Sequence, residues 1–166
     1  MDNRIIGAIV AVVLLAIAIV YTLDGFGQGK TATIATAVVT NEQQFISKIE
    51  QDYTTAPDFT GLSNTSANSA DETPHSMDGG GAVITNQFGG SVTVGVDAAN
   101  SANFDITETE VPPSACVSMA NVESDPVSVS INGTSMASSP PYTPAEVGPD
   151  CNKTGNSNTV LVVMGK

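Results

Sequence analysis

The two cysteines of the sequence, Cys116 and Cys151, are the residues whose chemistry is easiest to assign. An even pair of cysteines in a chain with an export-type apolar segment favours a disulfide over two free thiols. In the chain-entropy model a loop of this length stabilises the folded state by on the order of 4 kcal/mol. We therefore predict a Cys116–Cys151 disulfide that bounds the region 116–151.

The other groups that could carry chemistry lack partners at the required spacing. His75 is the only histidine, so it has no second imidazole or thiolate with which to hold a transition metal or run a Ser-His relay. The acids Asp71, Glu72 and Asp78 do not match the spacing of a twelve-residue calcium loop. We predict no catalytic residue and no metal site, and expect that the protein is not an enzyme.

Phosphate-binding motifs also fail. Gly29-Lys30-Thr31 is similar to the end of a phosphate-binding loop, but the first glycine of that motif would fall on Asp24. The formal net charge is −12, and too few basic residues exist to neutralise a row of phosphates. These basic residues are Arg4, Lys30, Lys48, Lys153 and Lys166. We expect no nucleotide cofactor and no nucleic acid partner.

Three asparagines, Asn64, Asn132 and Asn152, match the glycan acceptor pattern Asn-x-Ser/Thr. The pattern is short enough to arise by chance in a chain so rich in Asn, Ser and Thr. We assign these asparagines no role from the sequence.

Residues 5–23 contain no charged side chain and match the roughly 20 residues that a helix needs to cross a bilayer. A cleaved secretory signal is the alternative interpretation, because Ala35-Thr36-Ala37 offers a small-residue cleavage site. That site lies far downstream, the apolar run is longer than an ordinary signal core, and residues 1–4 carry one acid and one base. We therefore expect residues 1–23 to be retained as an apolar transmembrane or filament-core helix.

A glycine-rich stretch, residues 24–29, follows the apolar helix and should interrupt it. Gly25, Gly27 and Gly29 each cost a helix roughly 1 kcal/mol relative to alanine. Helical periodicity returns over residues 30–56, where apolar residues fall on one face, although the pattern is interrupted near Asn41 and Glu42. These apolar residues are Ile34, Val38, Phe45, Ile49 and Tyr53. The sequence predicts an amphipathic helix that ends at Ala56-Pro57 and packs on a sheet.

Residues 57–81 are small and polar and are predicted to be a connecting loop, while residues 82–166 are predicted to form an antiparallel sheet head. A two-residue Gly89-Gly90 hairpin should join strands at 82–88 and 91–96. Further strands are expected at 103–111, 126–131 and 159–164, a short helix at 112–120, and irregular structure over 134–151. The predicted fold class is α+β, with a long N-terminal helix, half apolar and half amphipathic, packed on the sheet.

This order of elements resembles a type IV pilin. The stretch from Val111 to Met119, VPPSACVSM, is similar to the segment that leads into the first disulfide cysteine of type IVb pilins. That subclass includes the toxin-coregulated and bundle-forming pilins and, most similar here, the thin-pilus pilins of conjugative plasmids. The resemblance implies a subunit held in the inner membrane of a Gram-negative bacterium and then assembled with its copies into an extracellular filament.

The resemblance also implies roles for the N-terminal residues. A prepilin peptidase would expose Met1, and the pilus assembly machinery would then polymerise the chain. Pilins generally carry a glutamate at the fifth mature position, whereas this chain has Ile5. Either Asp2 takes a related role, or packing and Arg4 set the register. The remaining residues expected to make assembly contacts are Gly7, Ala8, Ala11, Leu14 and Leu15.

The functional prediction is therefore the major structural subunit of a type IVb pilus that serves adhesion, aggregation or conjugative mating-pair stabilisation. One alternative with the same architecture is a minor pilin or a pseudopilin of a secretion system. Another alternative is a single-pass membrane-anchored binding module, which would not associate with its own copies.

Overall fold

The computed structural model describes residues 29–137 and 139–166. Four helices are present there, at Gly29–Asp52 (α1), Asn64–Ser69 (α2), Pro113–Met119 (α3) and Pro144–Val147 (α4). Six strands accompany them, at Ile84–Thr85 (β1), Ser91–Val96 (β2), Asn103–Val111 (β3), Ser128–Ile131 (β4), Thr134–Ser135 (β5) and Asn158–Gly165 (β6). The predicted apolar helix 1–23 and the glycines Gly25 and Gly27 lie outside the described residues.

Helix α1 begins at Gly29 and is continuous through the interrupted part of its apolar pattern. Its buried residues recur every three or four positions and form one face; they are Ala35, Val38, Glu42, Phe45, Ile46 and Ile49. Glu42 lies within this face and is 1% exposed, so the residue that breaks the pattern points into the core. Ile34, which the pattern placed on the same face, is 36% exposed. None of the helices in the described part of the chain is both long and apolar enough to cross a membrane.

The last residue of the sequence contacts the turns that follow α1. The helix ends at Asp52, and the residues between it and Pro57 form turns. Lys166 Nζ donates to the carbonyl oxygen of Tyr53 at 2.6 Å and to that of Ala56. Its positive charge complements the negative end of the helix dipole.

The sheet has the strand order β1-β2-β3-β6-β4-β5, and every neighbouring pair is antiparallel. The last strand, β6, is therefore inserted between β3 and β4. Its inward residues Val160, Val162 and Met164 are buried, as are Phe104 and Ile106 of the adjoining β3. Apolar residues of α1 and the sheet form one contiguous core, so the predicted α+β fold with a helix on an antiparallel sheet is confirmed.

The connection between β1 and β2 differs from the predicted two-residue hairpin. Ile84 pairs with Val92 and Thr85 with Ser91, so the connection spans residues 86–90 and β1 is only two residues long. Asn86 causes the difference, because its side-chain Oδ1 accepts hydrogen bonds from the backbone N–H groups of Phe88 and Gly90. The Asn86 side chain thus organises this turn together with the backbone hydrogen bonds that Asn86 N–H donates to the Gly90 carbonyl oxygen and Gly89 N–H donates to the Asn86 carbonyl oxygen.

The segments predicted to lack regular structure contain short elements. Residues 57–81 include α2, which begins with a capping box between Ser63 and Ser66. The Asn64 side chain then bonds along the edge of β2, donating to the Val92 carbonyl oxygen at 2.8 Å and accepting from the Val94 N–H at 2.7 Å. Residues 134–151 similarly contain β5 and α4.

Close packing beside the β3 bulge makes a specific demand on Gly90. The pairing of β3 with β6 shifts between Glu108 and Val111, and a Cβ at Gly90 would lie 1.9 Å from the Thr109 carbonyl oxygen. We predict that Gly90→Ala lowers the free energy of unfolding by about 1–3 kcal/mol, because backbone must move to relieve the clash. Chemical denaturation monitored by circular dichroism measures this effect.

The matched control is Gly95→Ala in β2. A Cβ at Gly95 has only the Leu62 carbonyl oxygen nearby, at 4.0 Å, so this substitution should change stability by less than about 0.5 kcal/mol. Equal stability of the two variants would contradict the packing described at Gly90.

Candidate functional site

The disulfide predicted from the sequence is present between Cys116 and Cys151. Pro112 and Pro113 start α3, which holds Cys116 in a fully buried position, while Cys151 follows α4 and is 3% exposed. The two Cα atoms are 5.8 Å apart, which is within the usual range for this bond. Because α3 packs on α1, the bridge connects the C-terminal region to the helical side of the molecule.

Asparagine side chains fasten the same region to the sheet. Asn132 Nδ2 donates to the Asp150 carbonyl oxygen at 2.6 Å and to Asn158 Oδ1 at 2.9 Å, and its own Oδ1 accepts from the Thr159 N–H. Asn158 is fully buried and donates in turn to the Val111 carbonyl oxygen. The β4–β5 turn, the segment before β6 and the end of β3 are therefore held together by two amides.

The three potential glycan acceptors differ in the hydrogen bonds that their side chains make. The amide groups of Asn64 and Asn132 are committed to backbone hydrogen bonds and have a structural role. Asn152 is exposed in the segment that follows Cys151. Exposure alone indicates no modification, and we assign none.

A buried pair of carboxyl groups, Glu42 of α1 and Glu108 of β3, was not predicted. Each residue is 1% exposed, and the two side chains are close enough for each to act on the pKa of the other. Asn86 Nδ2 donates to Glu108 Oε2 at 2.9 Å and to the Thr109 carbonyl oxygen at 2.9 Å. Glu42 Oε2 and Glu108 Oε1 nevertheless face no protein donor.

Both carboxyl groups of this pair hold protons more tightly than an exposed glutamate does. Burial raises the pKa of Glu108 to about 7, and hydrogen bonds from Asn86 and Glu42 oppose the rise. Burial is also the main cause that raises the pKa of Glu42 well above its ordinary value, with further contributions from the negative charges of Glu108 and Glu123. A carboxyl group removed from water is more stable neutral than charged.

The sequence contained signals for this pair. Glu42 follows Val38 by four positions and precedes Phe45 by three, which is the spacing of the buried helix face. Glu108 follows Ile106 by two positions in a strand whose inward residues alternate. What neither pattern reveals is that the two acids meet.

Of the acids considered for calcium binding, only Glu72 is buried. Glu72 is 3% exposed, and burial together with the charge of Asp52 raises its pKa to about 7, while Lys48 opposes the rise. Lys48 Nζ donates to the carbonyl oxygen of Asp71, and His75 is exposed. Within residues 29–137 and 139–166, no group of three or more His, Cys, Asp or Glu side chains could hold a metal ion.

Of the residues predicted to make assembly contacts, none lies in the described part of the chain. They are Met1, Asp2, Arg4, Ile5, Gly7, Ala8, Ala11, Leu14 and Leu15. Ile34 is the described residue that lies nearest to them in the sequence and has an exposed large apolar side chain.

The disulfide should make a large contribution to stability. Its cysteines are 35 positions apart, and we predict that Cys116→Ala/Cys151→Ala lowers the free energy of unfolding by about 4 kcal/mol, because the unfolded chain gains conformational freedom. Urea denaturation with and without a reducing agent measures this. The reducing agent should shift the midpoint of the wild type toward that of the variant and leave the variant unchanged. A urea denaturation midpoint of the wild type that is unchanged by the reducing agent would contradict the prediction.

Comparison with known proteins now assigns the family. The family model described as "PilS N terminal" matches residues 32–165, which run from the first turns of α1 through β6. Searches of curated proteins and of solved structures returned no match. The matched range contains the helix, the complete sheet and the disulfide, so the chain belongs to the PilS family of type IV pilins.

Proposed function

We propose that this chain is the major structural subunit of a type IVb pilus, with a structural and not a catalytic role. The observation that carries the proposal is the family match over 32–165 combined with the position of α1. The helix has one face buried against the head from Ala35 onward, and the apolar segment 5–23 precedes it in the sequence. One element thus connects a folded head to a segment suited to burial against copies of itself.

Polymerisation would proceed through the apolar segment. In the membrane a helix over 5–23 satisfies its own backbone, and in a filament the same surface is buried against other subunits instead of lipid. Gly7, Ala8 and Ala11 allow close approach of helices, and Leu14 and Leu15 provide apolar area. Ile34 of α1, exposed at 36%, offers further apolar area. Heterologous contacts of this kind generate an open helical polymer.

The rest of the assembly follows from the pilin family. Pilins assemble with other subunits into an extracellular pilus, so we infer that the head forms the filament exterior and that the region 116–151 makes lateral contacts. We further propose that a prepilin peptidase exposes Met1 and that the subunit resides in the inner membrane before assembly. Asp2 or Arg4 would then help to set the register between neighbouring subunits. The filament would serve adhesion, aggregation or conjugative mating-pair stabilisation.

A small-to-large substitution separates polymerisation from membrane anchoring. Ala11→Leu keeps the segment apolar and able to insert, but blocks close helix approach. We predict that cells with the assembly machinery shed filaments composed mainly of the wild-type chain, and at least about tenfold fewer with Ala11→Leu. Shearing, electron microscopy and quantitative mass spectrometry of the sheared material measure this. Leu14→Ile, which conserves volume, is the control.

The outcomes distinguish the alternatives. Filaments in which the chain is a trace component would indicate a minor pilin or pseudopilin. A chain that stays in the inner membrane and is monomeric in detergent would indicate an anchored binding module. Plasmid transfer in liquid, compared between strains with and without the subunit, tests the role in mating-pair stabilisation.

A further inference from the structure

The Glu42–Glu108 pair lies between α1 and β3, and no cation among the described side chains neutralises it. Glu123, in the segment after α3, is the other titratable group that acts on Glu42, and it is also an acid. Asn86, in the loop before β2, contributes a neutral donor, and the residues paired with Glu108 across the sheet are Val92 and Val160. Among the described residues, no lysine acts on either carboxyl group.

The two carboxyl groups need a proton in this setting. Two carboxylates in contact repel each other strongly in a low-dielectric interior, so they cannot both ionise at low cost. A single proton turns the repulsion into a charge-assisted O–H···O hydrogen bond. It also supplies a donor to oxygens that face none from the protein, namely Glu42 Oε2 and Glu108 Oε1.

We propose that Glu42 and Glu108 bind a shared proton that latches α1 onto the sheet, and that release of this proton at alkaline pH loosens the helix from the head. The latch is a property of the single subunit, so it does not rest on filament formation. Its position is specific, since Glu42 lies in the middle of the buried face of α1 and Glu108 lies beside the β3 bulge.

The direction of the pH dependence follows from the two states of the chain. In the unfolded chain both glutamates release their protons near pH 4.5, whereas in the folded protein the pKa of Glu108 is about 7 and that of Glu42 is raised as well. The folded state thus holds more protons above pH 4.5, and its stability falls as the pH rises toward and beyond 7. Glu72, with a pKa of about 7, acts in the same direction and must be separated by the experiment.

Glu42→Gln is the informative substitution because its amide is a permanent neutral donor to Glu108. The full-length variant in detergent micelles is compared with the full-length wild type at pH 5 and pH 10 by urea denaturation and by hydrogen–deuterium exchange of α1 amides. At pH 5 the two proteins should be alike, because the wild-type pair is protonated. At pH 10, above the pKa of Glu108 and where the proton left on Glu42 is also released, the variant should keep a higher denaturation midpoint. The α1 amides near residue 42 should exchange more slowly in the variant than in the wild type, by a factor of up to about ten. The reason is that one pKa unit is a factor of ten in an equilibrium constant.

Glu110→Gln is the matched control, since it removes the same formal charge from an exposed position on the same strand. It should follow the wild type at both pH values, as should Glu72→Gln in the exchange of amides near residue 42. If Glu42→Gln folds poorly, Glu108→Gln replaces it, because a glutamine there can accept from Asn86 and donate to Glu42. Equal exchange in the wild type and the Glu42→Gln variant at pH 10 would overturn the proposal, and so would an equal effect of Glu110→Gln.

Discussion

Burial of one face of α1 against the β-sheet is the interaction on which the rest of the head depends. Phe45, Ile46 and Ile49 are at most 1% exposed, and fully burying a side chain of this size contributes about 1.5–3 kcal/mol. A sheet gains stability when it packs against a helix, and here the edge strands β1 and β5 add only two residues each. The buried face of α1 therefore joins the helix to the head.

The C-terminal half of the head depends on a different kind of interaction. Between Asn132 and Ser157 the buried apolar residues are few, namely Tyr142, Val147 and Cys151. The Cys116–Cys151 bond and the amides of Asn132 and Asn158 supply what apolar packing does not. Asn121 repeats the device, since its side chain accepts from the Tyr142 N–H and donates to the Tyr142 carbonyl oxygen. The disulfide and these asparagine hydrogen bonds hold the region in a defined conformation, and they do not require its exposed side chains to be apolar.

Local patterns predicted much of this architecture. Alternation in β2 and β3, proline at the start of α3, the compact apolar run of β6 and the cysteine pair all reflect neighbouring residues, and each was found where the pattern placed it. The misses depend on contacts between distant residues. Asn86 reshapes a turn that the glycines alone would make a tight hairpin, and Asn64 docks a predicted loop on β2. Glu42 was taken as an interruption because its partner, Glu108, lies 66 positions further along the sequence.

That partnership is a poor way to maximise stability. Replacing a buried ionisable pair with apolar residues of similar volume is often neutral or stabilising, whereas removing one partner alone is destabilising. The chain already has a net charge of −12, so each further ionised acid adds to the repulsion within a compact head. An apolar pair would hold α1 at every pH, but a pair of acids holds it only while a proton is present. Because α1 is also the helix that follows the apolar segment 5–23 in the sequence, the proposed proton-dependent contact lies on the element that precedes the rest of the head.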